Sequence, residues 1–368
     1  MAATAILASS EQLGSAPALP WPQSGEAAVM VEPIGVMQSS GAARPVPMAS
    51  TAKIMTALLV LEDHPLNLNE PGPVLTVSRA DVDTYLRERN AGESVVPVVA
   101  GEQLSQYQLL QGLLLPSASN FAAMLATWDQ GIPAAFITRM NARAASLGMT
   151  ATNYADVSGF SPATVSIPAD LIRLAETAMR LPVFAQIVAQ PSATLPVAGV
   201  IHNLNTLLGQ NGVIGIKTGH TDQAGGNLVF AADAVVDGQP ARIYGAVMGQ
   251  PNADAGAFAA TVPLVTAVRA SLHVRPVVHR HDVVAHYTTS WGEGGPIVAA
   301  QGVSWLLMDG AVVSRHTMID PIPATLPAGS RVGTLSVEAG NQRADVPLIV
   351  EAAINGPELS WRLTRGLS

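Results

Sequence analysis

Apolar and polar positions along the chain fall into three textures. The first 24 residues mix Ala, Ser and Pro without any period and predict a loose leader. Two short apolar runs, AAVMVEP from Ala27 and GVMQS from Gly35, flank Pro33-Ile34-Gly35 and predict a hairpin. From Ser50 to about Glu62 the apolar residues are nearly continuous, no Gly or Pro intervenes, and Ser50 is of a type that caps helix N-termini. A helix this apolar is buried on most of its sides. Further helices are predicted over 105–115, 120–129, 133–147 and 168–179, with Gly148 as a C-cap glycine. The acidic run Asp81–Glu88 reads as a solvated helix face. Strands are predicted over 212–218, 226–235 and 242–248, with Gly-rich turns between them, followed by a last helix over 253–272. Past His273 short strand-like runs alternate with Gly and Pro and no helical period survives, which predicts an all-β module of about 90 residues. The boundary falls near Arg275–Pro276, so the expected division is a leader 1–24, a first domain 25–274 and a β domain 275–368.

Composition narrows the function classes. With 48% hydrophobic and 12% charged residues among 368, the chain is globular and not disordered. A net charge of −8 argues against a nucleic-acid binder, which needs a basic face. The absence of cysteine excludes thiolate nucleophiles, Cys-ligated zinc and iron–sulfur clusters. No window of 18 apolar residues predicts a membrane-spanning helix. The first cation is Arg44, so the chain as given carries no export signal, which fits a cytoplasmic protein or a mature form. His279, His281 and His286 with Asp282 read as solvated strand residues, so no metal and no cofactor are expected.

The 19 cations comprise 17 arginines and only two lysines, Lys53 and Lys217. A lysine offers a compact ammonium whose pKa can shift, which guanidinium cannot. Lys53 lies three residues after Ser50, on the same helix face, within reach of its hydroxyl. A serine needs a base beside it to act as a nucleophile, and a desolvated lysine near neutrality supplies one. The N-terminal position of Ser50 would also offer its backbone N–H to an oxyanion. Lys217 stands in Lys217-Thr218-Gly219 at the end of a predicted strand, where a cation and a hydroxyl suit a carboxylate on an extended substrate. Between them, Pro116-Ser117-Ala118-Ser119-Asn120 places two hydroxyls and an amide in one loop, or simply caps the helix that follows. His220 follows the lysine motif, but no Asp partner is identifiable that would make it a triad base. His202, Asn203 and Asn205 line the cleft or form a turn. Asp156, Ser158 and Gly159 read as a structural loop.

These segments, in the order SxxK, SxN, KTG, resemble the penicillin-binding serine hydrolases. RPVPMASTAKIMTALLVLE, LLLPSASNFAAMLA, DVSGFSPATVSIPADLIRLA and GIKTGHTDQAGGNLVFAA are similar to the D-alanyl-D-alanine carboxypeptidases of peptidase family S11. The resemblance spans about residues 25–272. It implies an α/β (α+β) β-lactamase/transpeptidase-like catalytic domain, an antiparallel sheet flanked by helices, with a small all-β C-terminal domain. It implies Ser50 as the acylated nucleophile, Lys53 as its base and Ser117 as the proton shuttle. Lys217 and Thr218, with Gly219 beside them, would bind a terminal carboxylate, and the N–H groups of Ser50 and His220 would form the oxyanion hole. At the third position of SxN this chain has Ser119, with Asn120 one residue later, so either Ser119 replaces the amide or the loop presents Asn120. The implied partners are a peptidoglycan stem peptide ending in D-Ala-D-Ala and β-lactam antibiotics, met outside the cytoplasm. Rival readings are a transpeptidase or a peptide cyclase or thioesterase with the same acyl-enzyme, and a non-catalytic peptidoglycan-binding protein. A class A β-lactamase is disfavoured, because no Glu-x-x-x-Asn follows the second motif.

Overall fold

Strict alternation along the strands builds one sheet with two apolar faces. In Glu26–Glu32, Ala28 and Met30 enter one core, while Ala27, Val29 and Val31 enter the other. In the same way Val229 and Ala231 face the first core, and Leu228, Phe230 and Ala232 the second. The computed structural model describes residues 2–41 and 44–364. Its central sheet is antiparallel throughout, in the order Val213–Thr221, Gly225–Val236, Gln239–Gln250, Glu26–Glu32 and Met37–Ser39. The expected hairpin at Pro33-Ile34-Gly35 joins the last two of these strands.

On one face lies the helix Lys53–Asp63, buried from Lys53 to Leu61 and surrounded by Gln106–Leu114, Ser119–Gln130, Pro133–Ser146 and Pro168–Met179. On the other face lies Ala253–Ala270. The helix Arg79–Asn90 carries the acidic run, buries no residue and opens with a capping box between Ser78 and Asp81. Among the described residues no helix is long and apolar enough to cross a membrane.

Three expectations are corrected. Ser50 does not cap the buried helix. It lies inside a 3-10 turn, Ala49–Ala52, and the helix proper starts at Lys53 with no side-chain cap. The first 24 residues are not a loose leader. Ala2–Ala5 pairs with Val283–Thr288 and Ser10–Leu13 pairs with Ala311–Ile319, so the N-terminal segment closes both edges of the seven-stranded sheet of the β module. These residues were illegible locally because they are exposed and lack alternation; the exposed edges of the β sheet supply the pairing. The last third is not free of helix either, since Leu359–Thr364 forms a short one.

The boundary expected at Arg275–Pro276 falls inside the strand Leu272–Val278, which pairs with Val303–Met308. Leu306 and Met308 of that second strand are buried in the core beneath Ala253–Ala270, together with Leu272 and Val268. The β module therefore contributes apolar surface to the core of the five-stranded sheet. Leu306→Ala is expected to cost about 2–5 kcal/mol of stability. Urea denaturation followed by tryptophan fluorescence checks this; an unchanged midpoint would mean that Leu306 adds nothing to that core.

Candidate active site

The 3-10 turn Ala49–Ala52 lifts Ser50 to the rim of a cleft while its neighbours stay buried. Thr51 Oγ1 donates to the Met48 carbonyl at 2.7 Å and Thr56 Oγ1 to the Val157 carbonyl at 2.7 Å, tying the turn and the helix start to the surrounding loops. Two glycines press on the turn from either side. A Cβ at Gly159 would meet the Ala49 carbonyl oxygen at 1.8 Å, and one at Gly219 would meet the Ser50 amide nitrogen at 2.7 Å. Gly159 also holds φ +83°, a conformation that suits glycine. Both positions need the smallest residue, because backbone approaches backbone there.

Lys53 Nζ reaches three hydroxyls, Ser50 Oγ at 2.8 Å, Ser119 Oγ at 3.2 Å and Ser117 Oγ at 3.5 Å. These match the three donors of an ammonium, and among the described residues no carboxylate lies in contact. The side chain is fully buried. Burial lowers its pKa to about 8, against the more distant negative charges of Glu93, Asp156 and Glu88, which favour the charged form. A lysine so placed exchanges a proton near neutrality, and its nearest partner, at 2.8 Å, is the Ser50 hydroxyl at the cleft.

Ser117 comes from the turn before the helix Ser119–Gln130, and Ser119 is its first residue. Ser117 adopts φ +70° and neither serine caps that helix, whose N-cap is Ala118 without a side-chain bond. The alternative left open by the sequence is decided here. Ser119 lines the cleft with Ser50, whereas Asn120 is fully buried and faces away. Its Oδ1 accepts from the Val96 amide at 3.0 Å and its Nδ2 donates to the Val96 carbonyl at 2.9 Å. Asn120 as a substrate-binding residue is therefore corrected: it fastens the segment that carries Ala91, Gly92, Glu93 and Ser94, one wall of the cleft. The Ser119 amide adds a bond to the Ser94 carbonyl at 2.8 Å.

The opposite wall is the end strand Val213–Thr221, paired on one side only within the central sheet. Lys217 is buried and its Nζ donates to the Thr218 carbonyl at 3.0 Å. Burial pushes its pKa well below the usual lysine range, the charge of Lys53 adds to this, and Asp254 opposes it. His220 and Thr221 continue the strand along the cleft, which has a volume of about 350 Å³ and is completed by Phe160, Asp222 and Gln223. The Asp partner that could not be identified for His220 is Asp254, with Oδ1 3.3 Å from Nδ1. This is still no triad, because Ser50 bonds to Lys53 and not to the histidine.

The remaining candidates stay outside the chemistry. Asn203 Nδ2 donates to the carbonyls of Val188 and Gln190, and Asn203 Oδ1 accepts from the Asn205 amide, which makes this segment a turn. Asp156 accepts from Ser158 Oγ, Phe160 N and Thr164 Oγ1, the hub of a structural loop. His279 faces Asp282 and His281 faces Glu351, in separate pairs. Glu93, Phe160 and Asp254 were missed by sequence reasoning. No local signal marks them, since Glu93 and Phe160 reach the cleft, and Asp254 reaches His220, only through packing.

A family model for D-alanyl-D-alanine carboxypeptidases matches residues 23–252. A D-alanyl-D-alanine carboxypeptidase of Mycobacterium tuberculosis is 37% identical over 193 residues, which span 50% of this chain and 62% of that relative. One from Streptomyces sp. (strain K15) is 34% identical over 200 residues, spanning 50% of this chain and 67% of the relative. A solved structure of a variant of the Streptomyces K15 DD-transpeptidase covers 68% of this chain and 98% of its own, with TM-score 0.59 and 26% identity. A D-alanyl-D-alanine carboxypeptidase structure from Francisella tularensis covers 93% of this chain and 96% of its own, with TM-score 0.66 at 19% identity, and shows a shared fold that extends into the β module.

The assignment of Asn120 carries its own prediction. Asn120→Ala leaves the buried N–H and carbonyl of Val96 without partners and is expected to cost about 1–3 kcal/mol in urea denaturation. A variant of unchanged stability that loses only substrate affinity would return Asn120 to the binding surface.

Proposed function

The chain belongs to the D-alanyl-D-alanine carboxypeptidase family, peptidase S11, and from that premise we propose that it removes the terminal D-alanine from peptidoglycan stem peptides through an acyl-enzyme on Ser50. The observation that carries this reading is the 2.8 Å contact between Ser50 Oγ and the amine of a buried Lys53 whose pKa is lowered to about 8.

In the proposed reaction the terminal carboxylate enters beside Lys217 and Thr218. The stem peptide lies extended along Val213–Thr221, whose open edge accepts a further strand. Ser50 Oγ attacks the carbonyl carbon of the penultimate D-alanine and its proton passes to Lys53 Nζ. The oxyanion meets the backbone N–H groups of Ser50 and His220. As the C–N bond breaks, the proton moves from Lys53 by way of Ser117 Oγ to the leaving amine, and D-alanine departs. Water then attacks the ester, Lys53 takes its proton, and Ser50 regains its hydroxyl. Splitting the reaction in this way needs no metal or cofactor.

The two buried lysines disfavour each other's charge. A substrate carboxylate at Lys217 holds the proton there and leaves Lys53 free to act as the base. Ser119 stands where an amide would otherwise contact the substrate and supplies one hydroxyl in its place. A β-lactam, which presents a strained amide and a carboxylate at the same spacing, would acylate Ser50 in the same manner. A substrate in the cell wall places the enzyme outside the cytoplasm.

Incubation with penicillin followed by peptide mapping is expected to give a single adduct on the peptide carrying Ser50, absent in Ser50→Ala. D-Alanine release with and without an amine acceptor separates hydrolysis from transpeptidation and cyclisation. Binding of muropeptides with neither adduct nor D-alanine release would favour the non-catalytic reading. The acylation rate is expected to rise with pH, since the base is neutral Lys53, with its midpoint near about pH 8. A rate that stays flat between about pH 6 and about pH 10 would remove Lys53 from that role.

A further inference from the structure

One side-chain pair at the edge of the cleft has no part in the steps above. His220 lines the cleft together with Ser50, and its Nδ1 lies 3.3 Å from Asp254 Oδ1. No other hydrogen bond engages the ring among the described residues. Asp254 stands in the first turn of Ala253–Ala270, and the start of that helix is held against the sheet at one point. Gly226, the register partner of His220, would meet the Ala253 carbonyl oxygen at 1.8 Å if it carried a Cβ. Backbone contact therefore sets the distance between aspartate and histidine, and the 34-residue separation in sequence is bridged rigidly.

The charge balance of the cleft calls for an explanation of this aspartate. Among the described residues Lys217 has no carboxylate in contact, and Asp254 is the negative group that supports its charge. Alone, an aspartate beside the carboxylate subsite would repel the incoming anion. A hydrogen-bonding partner of its own offsets that repulsion.

We infer that Asp254 is a positioning residue for substrate specificity: it fixes His220 with Nδ1 toward the helix, so that Nε2–H reaches the cleft and donates to the substrate's terminal carboxylate alongside Lys217 and Thr218. In the substrate complex the ring would stand between two carboxylates, with one nitrogen toward Asp254 and the other toward the substrate. The side chain of His220 thus acts on the carboxylate, while its backbone N–H serves the oxyanion. This inference rests on the carboxypeptidase reading of the cleft.

The test compares two acyl-D-alanyl thioesters with the full chain, one whose leaving group carries a free carboxylate and the other its methyl ester. Asp254→Ala is expected to raise KM for the free acid about ten-fold, with kcat within about three-fold, as for the loss of one charge-assisted bond. The preference for acid over ester, as a ratio of kcat/KM, falls by a similar factor. Asp254→Glu restores part of it, and His220→Ala lowers the ratio at least as far as the double variant does, because it leaves Asp254 unpaired beside the subsite. An unchanged ratio would overturn the inference. So would a raised ratio, because Asp254 would then act only as a repelling charge. If the unaltered chain gives neither thioester turnover nor a penicillin adduct, the carboxypeptidase reading fails and this inference with it. An adduct together with an unchanged ratio overturns the inference alone.

Discussion

The amine of Lys53 sits among the hydroxyls of Ser50, Ser117 and Ser119 with no carboxylate in contact among the described residues, and much of the surrounding architecture answers to that placement. A carboxylate at bonding distance would keep the ammonium charged; hydroxyls alone let desolvation bring its pKa to about 8. Glu93, Asp156 and Glu88 act on it from further away and moderate the shift without forming an ion pair. To bring a serine to such an amine, the chain uses a 3-10 turn in place of the first turn of the helix. To bring two more, it uses a turn in which Ser117 takes a positive φ and Asn120 is fastened to Val96.

The sheet makes this cleft possible because it is asymmetric in use. One face carries the helix of Lys53, the other carries Ala253–Ala270, and the strand Val213–Thr221 is left at the end with one open edge. Ser50 stands beside that edge, at a distance set by Gly219. In the proposed reaction a peptide that pairs with the strand would reach Ser50 in extended form, with Lys217 and Thr218 near its end. The helix on the far face takes part as well, since its first turn brings Asp254 to His220.

The β module is joined to this machinery more closely than a change of texture near residue 275 suggests. Leu306 and Met308 lie in the core of the catalytic sheet. The N-terminal segment runs the other way, with Ala2–Ala5 and Ser10–Leu13 covering the two edges of the module's sheet before the chain enters the catalytic sheet at Glu26. The edges of the sheet are thereby these two four-residue strands, and short edge strands limit sheet-to-sheet association.

The sequence by itself determined the buried helix, the three antiparallel strands, the hairpin and the pairing of Ser50 with Lys53. Each of these rests on a repeat or a spacing over a short stretch of consecutive residues, where near neighbours in sequence meet whatever the rest of the chain does. The rarity of lysine made Lys53 and Lys217 visible for the same reason, since it needs no knowledge of contacts. Only the tertiary structure decided between Ser119 and Asn120, because a shift of one residue in a turn reverses which side chain faces the cleft. Only it brought Glu93 and Asp254 to the site and turned the first residues into strands, because those contacts depend on how layers and sheet edges meet. A local pattern encodes geometry inside an element. It holds no record of the distance between elements, which packing sets.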